Sequence, residues 1–211
     1  MKIIEPSWCF EDDVNPKAIM EKIERAGRTC YKSEGRIGDG TAERFIAAII
    51  KRGHESVLEH ASITVRMICD RGVSHELVRH RIASYSQEST RYCNYNDGKF
   101  GGELTFIKPC FWDEGSVVYS EWAWLMRKIE DTYKGMLGMG SSPEQARSIL
   151  PNSLKTEIVV TMNIREWRHF FKLRTAPAAH PQMREIARMM LEGFREKLPV
   201  LFEDIGGKED A

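Results

Sequence analysis

Residues 61–69 read Ala-Ser-Ile-Thr-Val-Arg-Met-Ile-Cys, and residues 70–81 continue Asp-Arg-Gly-Val-Ser-His-Glu-Leu-Val-Arg-His-Arg. In the first stretch Ile63, Val65 and Met67 alternate with Ser62, Thr64 and Arg66, the period-two pattern of a half-buried strand. In the second, Ser74 follows Gly72 as an expected N-cap, opening a short helix that runs through residues 75–81 into a hydroxyl-rich loop reaching Tyr92. A strand that delivers the chain into a charged helix end is the centre from which the rest is placed.

Upstream, Asn15 and Pro16 form a cap and a first-turn proline, with Ile19, Met20 and Ile23 at helical spacing up to about residue 28. Thr41 opens a second helix with Phe45, Ile46, Ile49 and Ile50 on one stripe, ended by Gly53. Downstream, weak strand signal returns at residues 104–107. A long helix over residues 116–137 places Val118, Trp122, Leu125, Ile129, Tyr133 and Met136 on one buried face. Ser142, Pro143 and Glu144 mark another helix start, residues 154–162 read as a second strand, Asn163 caps a helix to Arg174, and a last helix covers residues 181–198. Gly206, Gly207 and the charged end are expected to fray. Strands broken by helices without regular alternation predict an α+β fold, a mixed or antiparallel central sheet flanked by helices, in one domain over residues 1–211.

The 211 residues suit one well-buried core, and 42% hydrophobic with 29% charged residues is the composition of a globular protein. No apolar run approaches the roughly 20 residues of a membrane span. The start, Met-Lys-Ile-Ile-Glu-Pro-Ser-Trp-Cys-Phe-Glu-Asp-Asp, is unlike a secretory signal, so a cytoplasmic protein is expected. Lys+Arg and Asp+Glu each total 31, so no global field draws a long polyanion, and any anion site must come from local concentration of charge. Cys9, Cys30, Cys69, Cys93 and Cys110 are scattered and contain no CxxC pair, which argues for reduced thiols and against a zinc knuckle. His54-Glu55 and Glu59-His60 lack HExxH spacing, so no metal is expected.

Chemistry concentrates in residues 79–92, which hold Arg79, His80, Arg81, Ser84, Ser86, Ser89, Thr90, Arg91 and two tyrosines. Helical residues advance by about 100° each, so Arg79 and Arg81 point about 200° apart and cannot grip one phosphate from a regular helix. Either the helix ends there or the two serve different ligands. If the chain beyond is extended, Ser89 and Arg91 share one side, where a hydroxyl and a guanidinium can hold one phosphate. On the helix after Asn163, Trp167, Phe170 and Phe171 form an apolar stripe that Arg174 continues. A guanidinium there costs several kcal/mol unless paired, so an anionic or carbonyl-rich partner is expected.

The order Arg79-His80-Arg81, seven residues, Ser89, then Arg91 closely resembles the signature of the flavin-dependent thymidylate synthases. Gly53-His54-Glu55-Ser56, Glu59-His60, Ala146-Arg147 before Leu150-Pro151, and Asn163-x-Arg165 followed by Leu173-Arg174 fall in the same family's order, so the resemblance covers roughly residues 40–190. It implies an enzyme that binds FAD, reduces it with NADPH, and passes the carbon of 5,10-methylenetetrahydrofolate to C5 of dUMP, giving dTMP. It also implies a homotetramer with active sites shared between subunits. No protein nucleophile is implied: Pro109-Cys110 is followed by Phe111, not by the histidine of the cysteine-dependent thymidylate synthases.

Carried over residue by residue, the resemblance implies that His54, Ser56, Arg79, His80, Arg81, Gln87, Asn163, Arg165 and His169 contact FAD. Glu76, Arg79, Gln87, Glu88, Ser89, Arg91, Arg147 and Arg174 would hold dUMP, with Arg174 the catalytic group facing the uracil ring. The competing reading is a noncatalytic nucleotide- or RNA-binding module that uses the segment from Arg79 to Arg91. Such a module would be colourless and would bind polynucleotides with steep salt dependence.

Overall fold

A computed structural model describes residues 1–206 of the chain, so the expected fraying of the charged end beyond Gly206 lies outside the described residues. In chain order the elements are β1 (Lys2–Ile4), β2 (Ser7–Phe10), α1 (Pro16–Thr29), α2 (Thr41–Lys51), β3 (Ser62–Asp70), α3 (Arg71–Leu77), β4 (Ala83–Gln87), β5 (Thr105–Ile107), α4 (Val117–Gly138), α5 (Pro143–Ala146), β6 (Lys155–Asn163), α6 (Ile164–Arg174), α7 (Pro181–Lys197) and α8 (Pro199–Phe202). The fold is α+β, with β1 and β5 paired in parallel, an antiparallel bridge between Phe106 and Leu154, and a four-stranded sheet in the order β2-β3-β6-β4. No helix among the described residues is long and apolar enough to cross a membrane.

The chain divides into two compact units. The first unit takes Met1–Ser7, Met67–Arg79 and Ser86–Val159. Its core gathers Leu104 and Phe106 around β5 with Met126 and Tyr133 of α4, and with Tyr95, Ala146 and Leu154. The line of α4 that is buried runs through Met126, Glu130 and Tyr133, while Val118 and Leu125, expected on the buried face, are exposed. The true apolar stripe is therefore rotated from the predicted one: Glu130 turns inward because its carboxylate accepts from the Leu104 backbone N–H at 3.0 Å and pairs with Lys134.

The second unit takes Trp8–Arg66, His80–Tyr85 and Val160–Ala211. Ile23, Ile46, Leu58 and Ile63 are fully buried there, as are Trp167, Phe170, Phe171, Phe194 and Phe202, whose rings pack edge to face and tilted at about 5–6 Å. Trp167 satisfies its indole N–H on the Ile63 carbonyl at 3.0 Å. Asn15 caps α1 by accepting from Ala18 N–H, as its side chain and Pro16 predict. Buried Glu24 ties α1 to α2 by accepting from Arg28 at 2.7 Å and from the Thr41 hydroxyl at 2.8 Å.

Gly193 of α7 is needed for space. A Cβ there would stand 2.4 Å from the Trp8 ring. Gly193→Ala should therefore lose about 1–3 kcal/mol to overpacking, outweighing the roughly 1 kcal/mol that alanine gains in helix propensity. Urea unfolding of the two proteins checks this, and a more stable alanine variant would refute it.

Candidate functional site

The signature segment begins earlier and ends sooner than its sequence pattern predicts. Asp70, at the end of β3, caps α3 by accepting from the Val73 N–H at 2.7 Å, while Ser74 lies inside the helix and donates to the Arg71 carbonyl at 2.9 Å. A carboxylate at the N-terminus also suits the helix dipole, so Asp70 displaces Ser74 from the capping role. With its start moved back, α3 ends at Leu77, and Arg79, His80 and Arg81 lie beyond it. Of the two explanations for the divergent arginines, the helix end is the one realised. The chain then enters β4, which sequence reading did not identify, and Ser89 to Tyr92 form a turn rather than an extended run: the Arg91 N–H donates to Ser89 Oγ at 3.3 Å and the Tyr92 N–H to the Ser89 carbonyl at 3.3 Å. The turn, not a period of two, keeps Ser89 and Arg91 together.

The triplet straddles the boundary between the units, with Arg79 in the first and His80 and Arg81 in the second. In the second unit His80 is 4% exposed, whereas Arg81 is exposed. His80 Nδ1 lies 2.9 Å from Glu166 Oε1, and its Nε2 accepts from Arg174 Nε–H at 3.1 Å. An acceptor at Nε2 places the imidazole proton on Nδ1, donating to Glu166. The Tyr85 hydroxyl closes the same turn by donating to the His80 carbonyl at 2.6 Å, and burial pushes its pKa up to about 12. Burial is the largest influence on His80 itself and lowers its pKa. The Glu166 hydrogen bond opposes that shift, and the Arg174 charge reinforces it.

For Arg174, expected to meet an anion or a carbonyl, one partner is the imidazole nitrogen of His80, a neutral acceptor whose far side is anchored by a carboxylate. His80, Glu166 and His169 bring ligand-type atoms within 4.8 Å of one another. The Arg174 guanidinium on His80 Nε2 opposes a second cation there. Asn163, Arg165 and His169 line a cavity of ≈ 380 Å³ with Glu55, Glu59, Ile82, Glu166 and Lys172. Asn163 caps α6 by accepting from Glu166 N–H at 2.9 Å, and Arg165 pairs with Glu59 at 2.6 Å. His54 and Ser56 instead line a larger cavity of ≈ 860 Å³ walled by α1, α2 and the turn at Glu55–His60.

In the first unit, the Gln87 amide donates to Ser74 Oγ at 2.9 Å and to Thr156 Oγ1 at 3.1 Å, leaving its carbonyl oxygen as the group it can offer. Glu88 accepts from Lys155 at 2.6 Å and from the Tyr95 hydroxyl at 2.7 Å, so both oxygens are engaged. Arg147 reaches Thr90 Oγ1 at 3.5 Å, and Arg91 lies 3.7 Å from Glu144 with its guanidinium over the Tyr92 ring. Arg79 is exposed and Glu76 half-buried, joined by the Arg79 N–H donating to the Glu76 carbonyl at 3.3 Å. Sequence reading gave no role to Ile82, Glu166 and Lys172, and no local pattern marks them: His80 and Glu166 meet across 86 residues of chain, while Glu59 was quoted only as part of the family's order.

Residues 16–200 match the family described as thymidylate synthase complementing protein. The chain belongs to that family. It is 41% identical over 172 residues to the flavin-dependent thymidylate synthase of Pyrococcus furiosus, covering 81% of this chain and 70% of that protein. It is 43% identical over 159 residues to the enzyme of the same name from Thermococcus kodakarensis, covering 75% and 64%. The Geobacter sulfurreducens enzyme is 38% identical over 193 residues, covering 86% and 79%. The chain thus spans about two thirds of the length of the first two of these enzymes and 79% of the third. Among solved structures, the UMP/dUMP methylase PolB of Streptomyces cacaoi bound with 5-Br dUMP shares the fold, with a TM-score of 0.78 at 24% identity over 96% of each chain. The RNA-binding module finds no support in these likenesses.

The donor set fits a flavin dinucleotide. Carboxylates of Glu55, Glu59 and Glu166 in the smaller cavity suit the hydroxyls of a ribityl or ribose chain, while exposed Arg81 has no carboxylate partner among the described residues and suits a phosphate.

Proposed function

We propose that the protein converts dUMP to dTMP, taking the one-carbon unit of 5,10-methylenetetrahydrofolate and using FAD reduced by NADPH. The observation that carries this reading is the chain of contacts from Glu166 through His80 to Arg174, which joins the signature histidine to the arginine assigned to the pyrimidine. FAD, when bound, supplies the hydride that completes the methyl group. Arg81, Asn163, Arg165, His169, His54 and Ser56 hold it. Arg174, kept in one position by His80, offers a fixed positive charge to the negative charge that develops on the uracil as C5 becomes nucleophilic.

On the substrate side, Ser89, Arg91 and Arg147 grip the dUMP phosphate through charge-assisted hydrogen bonds, and the Gln87 carbonyl accepts from the sugar hydroxyl. Glu88 acts through Lys155 and Tyr95, which it positions, and Glu76 meets the nucleotide only through a hydroxyl or an arginine, since a carboxylate repels phosphate. Arg79 serves both ligands. Residues 1–211 act as one catalytic domain, and a homotetramer would let exposed Arg79 and Arg81 complete sites with neighbouring subunits. No metal takes part.

Visible absorbance of the purified protein, recorded anaerobically, tests this. A flavin spectrum that bleaches on adding NADPH with dUMP, followed by dTMP formation once methylenetetrahydrofolate is present, is the expected result. A protein that takes up no added FAD would overturn it.

A further inference from the structure

The ≈ 860 Å³ cavity of the second unit is walled by four arginines, of which one is balanced by a carboxylate among the described residues. Arg28 is engaged, paired with buried Glu24 at 2.7 Å and lying 4.8 Å over the Phe45 ring. Arg36, Arg44 and Arg52 are exposed and have no carboxylate partner among the described residues. Among those residues no acidic side chain lines the cavity, and Glu34, Asp39 and Glu43, close in sequence, form no ion pair with these three arginines. Like charges around one concavity repel one another, and the concave wall concentrates their field, so the arrangement is one that an anion relieves.

The spacing says which kind of anion. Arg44, Ala48 and Arg52 follow one another along one side of α2, and eight residues of helix separate the two arginines by about 12 Å along the axis. One phosphate or carboxylate meets both only if the two side chains fold toward one another, whereas an extended chain of anionic groups meets each where it stands. Tyr31, also on the wall and largely exposed, offers a ring face to such a ligand, and His54 and Ser56, assigned to the flavin side, stand on the same wall.

We propose that this cavity binds the polyanionic tail of a cosubstrate, with Arg36, Arg44 and Arg52 as its counter-charges. The inference rests on the activity proposed above, which supplies two molecules of this chemistry: a pyridine dinucleotide with a pyrophosphate and a 2′-phosphate, or a folate with a chain of γ-linked glutamates. The test is calorimetric titration of the FAD-loaded protein and of the Arg44→Gln/Arg52→Gln variant with NADP+, NAD+, folate monoglutamate and folate triglutamate. Both substitutions lie on an exposed helix side, and bound-flavin absorbance with circular dichroism checks that the variant is folded and loaded.

Removing one charge-assisted hydrogen bond weakens binding by about tenfold or more. A weakening confined to NADP+ assigns the site to the dinucleotide, and one confined to triglutamate assigns it to the folate tail. Equal affinities of both proteins for all four compounds would overturn the site, as would absence of bound FAD from the variant. Because the readout is binding, wild-type protein that binds these tails through the arginines but forms no dTMP would refute the activity and leave the site standing.

Discussion

Arg174→Ala is expected to lower dTMP formation by about 10²–10³-fold while leaving the flavin spectrum of the protein unchanged. The size follows from pre-organisation. A guanidinium at the end of α6 would ordinarily sample many rotamers, but Arg174 is half-buried and its Nε donates to a histidine that cannot turn, since His80 is buried with Nδ1 held by Glu166. A donor already aimed costs no reorganisation when charge develops beside it. Arg174→Lys keeps the charge but loses the fork and the His80 contact, so it should recover only part of the rate. Normal turnover of Arg174→Ala at saturating dUMP would sink the assignment.

The same contacts set a pH signature. His80 must be unprotonated at Nε2 to accept from Arg174, so protonation releases the arginine and forms the acid limb of kcat. Because the folded pKa of His80 is lowered, chiefly by burial, that limb lies below the ordinary histidine value of about 6.5. Glu166 favours the charged imidazole, so Glu166→Gln should move the limb further toward acid and lower kcat by a smaller factor than Arg174→Ala. A merely structural Glu166 would leave the limb where it is. The lowered pKa also makes the neutral form the folded one, so its contribution to stability is present above about pH 6.5 and is lost as pH falls through the folded pKa.

What the sequence makes legible is local. The alternation of Ile63, Val65 and Met67 places β3, Asn15 with Pro16 starts α1, and Asn163 with the stripe of Trp167, Phe170 and Phe171 places α6. Strands β1, β2 and β4 escaped because three to five residues carry too little period to separate from a loop, and in Ala83–Gln87 small polar side chains hide the alternation. The family signature marks Arg79, His80, Arg81 and Ser89 because their spacing is fixed along the chain. Glu166 stays hidden because its contact with His80 spans 86 residues of chain, and the arginine-walled cavity because a concavity within residues 27–57 leaves no periodic mark in the sequence. Arg168 is the sharpest case: it follows Trp167 in α6 with nothing in the local sequence to single it out, yet it is 1% exposed.

That buried guanidinium predicts the largest loss of stability. Arg168 donates to both carboxylate oxygens of Asp204 at 2.7 Å, to the Leu201 carbonyl, and to Glu55 at 3.4 Å, binding α6 to the turn that follows α8. Arg168→Met keeps most of the volume but leaves the Leu201 carbonyl and Asp204 without this donor, and Glu55 with Lys172 alone at 3.5 Å. Asp204 and Glu55 are partly exposed and regain some water, so the loss should be about 2–4 kcal/mol, toward the lower part of the range for a broken buried pair. At about 2–4 °C per kcal/mol for a chain of this size, the melting temperature falls by about 4–16 °C. The acid dependence should change with it. Arg168 holds the Asp204 carboxyl below its ordinary value, so the pair's contribution is present above about pH 4 and is lost as pH falls through the folded pKa. Thermal melts of both proteins between about pH 3 and 7 should therefore draw closer as pH falls below about 4 toward the folded pKa of Asp204. A wild-type excess in melting temperature that stayed constant down to pH 3 would mean that Arg168 stabilises the fold through its packing rather than through its charge.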